Sequence, residues 1–104
     1  MNPYRVDVSE AAENDLYDIV RYIASQYSAP VTALSMMALL EEAMTGLCKM
    51  PQRYPLLADD RLARMGYRKL AVKNHLVFFS IDEKNKVVDV ERILYARSDW
   101  LRII

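Results

Sequence analysis

A chain of 104 residues, 53% apolar and 27% charged, reads as a single folded domain over 1–104 and excludes a disordered or collagen-like polymer. Its one cysteine, Cys48, excludes an internal disulfide. No apolar stretch is read as approaching the roughly 20 residues of a membrane span, and no signal-peptide pattern opens the chain, so a cytoplasmic location is expected. The formal charge of zero hides a segregation: of 14 basic and 14 acidic side chains, two and seven fall in residues 1–45, leaving twelve and seven in 46–104.

Residues 3–8 alternate Tyr4, Val6 and Val8 against Arg5 and Asp7, which predicts a short half-buried strand. Ser9 follows as a helix N-cap, with Glu10 and Glu13 in the first turn where the helix dipole favours acids. Ala12, Leu16, Ile19, Val20, Ile23 and Tyr27 recur every three or four residues, an apolar stripe on a helix over 10–26. Pro30 restarts the chain in a second helix, to about Lys49, with Leu34, Met37, Leu40, Met44 and Leu47 as its stripe. Helical spacing favours a core role for these methionines, and for Cys48 nearby, over an adaptable binding surface or a nucleophile. Residues 51–66 lack periodicity and predict a surface loop with a helical turn near 59–63, carrying Arg53, Arg61 and Arg64.

From 67 onward the period is two. Runs at 67–73 and 75–81 are separated by a Lys73-Asn74 corner, where Asn tolerates the left-handed backbone, and a turn at 82–85 leads into a run over 86–97. Parity puts Val77, Phe79 and Ile81 on one face and Leu76, Phe78 and Ser80 on the other, the signature of a central strand. In the last strand Val88, Val90 and Leu94 read inward, and Ile93, Tyr95 and Arg97 outward. Strict parity would bury Arg92, so either a bulge sits near 91–93 or Arg92 pairs with a carboxylate at the sheet edge. The predicted class is α+β, in the order β-α-α-β-β-β, a helical hairpin packed on a small, largely antiparallel sheet.

On the outer face, Lys69, Lys73, Tyr95 and Arg97 are expected to converge beside the loop arginines. Arginine forks phosphate, and tyrosine stacks on a base or passes a proton. The competing reading is a solvated array of long side chains. His75, the sole histidine, is either a general base or a cap of its hairpin. Ser-His-Asp spacing, a Gly-rich phosphate loop, paired carboxylates and Cys/His clusters do not occur in the sequence, so no metal or cofactor is expected.

The stretches YRVDVSEAAENDLYDIVRYIA, LCKMPQRYP, GYRKLAVKNHLVFFSID and RILYARSDW, in that order, resemble the RelE/ParE superfamily, toxins of bacterial type II toxin–antitoxin systems. The resemblance spans nearly the whole chain and implies a cognate antitoxin as partner. It leaves two targets: ribosome-bound mRNA, cut without a metal as in RelE-like members, or DNA gyrase, inhibited as in ParE-like members. For a nuclease it implies Arg97 at the scissile phosphate, with Tyr95 where the family often carries histidine; His75, from its titration near neutral pH alone, is a third catalytic candidate. Arg61, Arg64, Arg68, Lys69 and Lys73 would then hold the nucleic acid. The RelE-like arginine of the central hairpin is matched by Leu76, and no tyrosine follows Arg97. These departures, the long helical hairpin and the Arg97-Ser98-Asp99-Trp100 ending lean ParE-like. A third class is a degenerate, non-toxic member that only binds its antitoxin.

Overall fold

The computed structural model describes residues 3–104 as β1 (Arg5–Val8), α1 (Glu10–Gln26), α2 (Pro30–Thr45), α3 (Asp60–Arg64), β2 (Arg68–Val72), β3 (His75–Asp82), β4 (Val87–Tyr95) and α4 (Trp100–Ile103). The strands form one sheet in the order β1-β4-β3-β2, antiparallel except where β1 runs parallel to β4. The α+β class and the helical hairpin on a largely antiparallel sheet agree with the sequence prediction. The single turn α4 lies outside it, because four residues carry no readable period.

Capping is local and follows the sequence. The Ser9 hydroxyl accepts from the Ala12 N–H at 3.0 Å and donates to the Glu91 carbonyl at 2.8 Å, fastening the start of α1 to β4. Asp59 caps α3 through the Leu62 N–H at 3.0 Å, and Gly66, at φ 82, ends that turn in the left-handed region. At the β2–β3 corner the left-handed residue is Lys73 (φ 54), not Asn74. Both hairpin turn types require φ > 0 at the first central residue, which is Lys73.

The helices cover one face of the sheet. Ala12 and Leu16 of α1, and Leu40, Met44 and Leu47 of the α2 segment, pack on Val77, Phe79, Val88 and Val90. Ala33 takes the buried place expected for Leu34, which is exposed along with Val31 and Tyr27. Contrary to expectation, the 19-residue run Pro30–Cys48 does match a membrane span in length and composition. Its apolarity comes partly from the stripe that packs on the sheet.

The opposite face carries a second core, in which Leu76, Phe78 and Leu94 meet Leu57 and Leu62 from the loop, with Tyr67, Trp100 and Ile104 packed against them. Residues 51–66 are therefore not only a rim; two leucines fold under the sheet. A bulge on β4 separates the halves of the β3–β4 ladder: Phe78 pairs with Arg92 and Phe79 with Val90, leaving Glu91 as the extra residue. Parity reverses there. Ile93 joins the helix-side core and Leu94 the outer one, opposite to the strict alternation read from sequence. Both resolutions offered for Arg92 occur together, the bulge and a carboxylate partner, Asp15.

Candidate functional site

Two residues past Ile93, the bulge carries Tyr95 to the helix side as well. It pairs in register with His75, two residues before Val77 on that same face, and their rings meet edge-on at 5.8 Å. Across from them, at the far end of α1, Tyr22 and Tyr27 form a second perpendicular pair with centroids 6.0 Å apart. These four rings, with Asp18 and Met36, line an open cavity of about 650 Å³ between the helical hairpin and the end of the sheet. A smaller cavity of about 490 Å³ lies beside Tyr4, Gln52 and Lys86. Its polar groups satisfy one another, with Tyr4 donating to Glu83 and Gln52 reaching Glu83 at 2.8 Å.

His75 is 9% exposed, and its fully buried Nδ1 has no hydrogen-bond partner among the described residues. Burial pushes its pKa below the ordinary histidine value, so the ring is neutral at pH 7. The Tyr22 phenol is pushed up, first by its interaction with Tyr27 and further by Tyr95, and keeps its proton. The chemistry available on this side is aromatic faces and one carboxylate, Asp18, which accepts from Arg21 at 2.5 Å.

The basic candidates lie elsewhere. Lys69 points to the outer face, its Nζ 4.8 Å from the centre of the Trp100 ring. Arg68 is committed to structure, donating to the Tyr54 carbonyl at 2.6 Å and to the Gln52 carbonyl at 3.4 Å, which pins the loop before α3. Lys73 sits in the β2–β3 corner, Arg97 in the turn after β4, and Arg61 and Arg64 on α3, all four exposed. Among the described residues none of these four enters a salt bridge. The expected convergence of Lys69, Lys73, Tyr95 and Arg97 on one face therefore does not form, because the bulge at Glu91 turns Tyr95 to the other side. Tyr22 and Asp18 stand outside any sequence-level site; Tyr22 falling off the apolar stripe while remaining aromatic was the available signal.

The arrangement of these elements has relatives. The family model described as the ParE toxin of the type II toxin–antitoxin system parDE matches residues 6–100. The chain belongs to the ParE toxin family. This agrees with the RelE/ParE resemblance carried by the four motifs, and makes the protein a toxin of a type II toxin–antitoxin system. Solved structures share its fold. The toxin–antitoxin complex RelBE2 of Mycobacterium tuberculosis matches at 19% identity over 89% of this chain and 98% of that one, with a TM-score of 0.66. The chromosomal ParDE system of P. aeruginosa matches at 18% over 90% and 97%, with a TM-score of 0.71. A double-arginine variant of the E. coli toxin RelE in the free state matches at 13% over 97% and 92%, with a TM-score of 0.61. No curated protein matches. In this ParE-family chain the outer sheet face is an apolar core covered by Leu62 of α3 and Trp100 of α4.

Proposed function

We propose that this ParE-family toxin arrests growth by binding DNA gyrase, without cutting RNA, and that a cognate antitoxin neutralises it in the cytoplasm. The observation that carries this reading is the outer face of the sheet, where Leu76, Phe78 and Leu94 are buried beneath Leu62 and Trp100. A metal-independent nuclease needs cations and proton-transfer groups aimed at one scissile phosphate. Here Tyr95 and His75 lie across the sheet from Lys69, so the two kinds of group do not face one point.

Inhibition by binding requires only an exposed complementary surface. The helical hairpin offers one, since Tyr17, Tyr22, Tyr27, Val31 and Leu34 are each more than half exposed. The antitoxin reading draws support from the toxin–antitoxin complexes of similar fold. Arg61, Arg64, Lys69, Lys73 and Arg97 suit an acidic antitoxin segment, whose association would weaken as salt screens the attraction.

The deciding experiment assays the purified toxin in parallel for gyrase supercoiling and for cleavage of ribosome-bound mRNA. Inhibited supercoiling with intact mRNA is expected. Cut mRNA with normal supercoiling would replace this reading with the nuclease, and neither effect would leave an antitoxin-binding module.

A further inference from the structure

We infer that the cavity between the far end of α1 and the end of the sheet is a receptor for an arginine side chain presented by a partner protein. This goes beyond the gyrase reading and holds for any protein partner. Four properties of the cavity lead to it.

The walls are aromatic. Tyr22 with Tyr27, and His75 with Tyr95, form two edge-on pairs, and a perpendicular pair leaves ring faces open to a third group. Ring faces attract cations, and a planar guanidinium stacks on them as an ammonium does not. Among the described residues the lining includes one carboxylate, Asp18, and no lysine or arginine. Its own partner, Arg21, pairs with it at a solvent-exposed position, where ion pairs are weak and exchangeable. A phosphate or carboxylate ligand would therefore meet Asp18 and no lining cation. A neutral ring would leave Asp18 unused.

The third property is the His75 ring, nine-tenths buried, which lines the cavity edge-on beside Tyr95. A planar guanidinium stacks on such rings while its five N–H donors stay free for Asp18 and water. Finally, Val31 and Leu34, in the first turns of α2 just beyond Tyr27, remain exposed. Free arginine would leave them in water, whereas the neighbouring residues of a protein segment would cover them.

The test titrates the isotopically labelled full-length chain with N-acetylarginine methylamide, following the rings of Tyr22, Tyr27, His75 and Tyr95 by NMR. Saturable shifts of those rings are expected. The citrulline analogue, of the same shape without the charge, and N-acetyltyrosine methylamide are each expected to bind at least about tenfold more weakly. Replacing both exposed tyrosines, Tyr22→Leu with Tyr27→Leu, is expected to weaken the arginine probe by a similar factor while the amide spectrum of the rest of the fold is retained. Shifts that do not saturate, that map elsewhere, or that the neutral probes reproduce equally well would overturn the assignment. The same arginine within a leucine-flanked peptide should bind more tightly than the lone amide. Equal affinity would make this a free-arginine site and overturn the protein-partner assignment.

Discussion

Arg92 reaches from β4 to fork Asp15 on α1, Nε to Oδ2 at 2.7 Å and Nη2 to Oδ1 at 2.9 Å, and the same Oδ2 accepts the Ile93 N–H at 2.9 Å. β1 stops pairing with β4 at Val90, so the strand edge beyond it would stand open. The Ser9 hydroxyl, on the Glu91 carbonyl, and Asp15, on the Ile93 N–H, close it. The two side chains are 29% and 13% exposed, and hydrogen bonding to Asp15 is the main cause raising the Arg92 pKa.

Asp15→Ala would leave a partly buried guanidinium unpaired and the Ile93 N–H without an acceptor. The expected cost is about 3 kcal/mol, read as a lower urea midpoint at unchanged m-value. A loss below about 1 kcal/mol would reduce the pair to an ordinary surface contact.

The two-sided core makes a paired prediction at neighbouring positions. Phe78 and Phe79 are both fully buried, Phe78 against Trp100 at 5.1 Å and Phe79 against Tyr54 at 6.0 Å, on opposite faces. Each change to Ala is expected to cost about 3–5 kcal/mol by leaving a cavity. Only Phe78→Ala should shift the emission of Trp100, the sole tryptophan. Identical emission changes in both variants would mean that the faces are not separate cores.

His75 predicts a pH dependence with a definite sign. Its pKa is lowered by burial in the folded chain, so on acidification the unfolded chain takes up the proton first. The contribution is fully present above the unfolded value of about 6.5 and is lost progressively as pH falls from there through the lower folded value. Denaturation midpoints between pH 7.5 and 5.5 should therefore decline more steeply in the parent protein than in His75→Leu. Parallel curves would show that the histidine is equally protonated in both states.

Arg97 separates the two toxin mechanisms. It is exposed in the turn after β4, without a salt-bridge partner among the described residues, so Arg97→Ala should fold normally. Under the gyrase reading the variant retains growth arrest. Arrest and ribosome-bound mRNA cleavage both lost, in a variant with native circular dichroism, would place Arg97 at a scissile phosphate.

By itself the sequence determined what depends on near neighbours. Ser9 and Asp59 cap their helices because the N–H each accepts lies three residues on, and the stripe through Ala12 and Leu16 is a three-to-four-residue period. The family is legible for the same reason: its four motifs are runs of adjacent residues in a fixed order. Tertiary structure alone decided which face each late β4 residue occupies. A bulge is one surplus residue relative to a partner strand, and it has no signature until β3 lies alongside; at Glu91 it reverses Ile93, Leu94 and Tyr95. It also decided that Asp15 would meet Arg92 from 77 positions away, and that Leu57 and Leu62 would roof the outer face. The tyrosine–histidine cavity belongs to this second class, since no local pattern relates Tyr22 to Tyr95 and only the packing of α1 against the end of the sheet brings their rings to one wall.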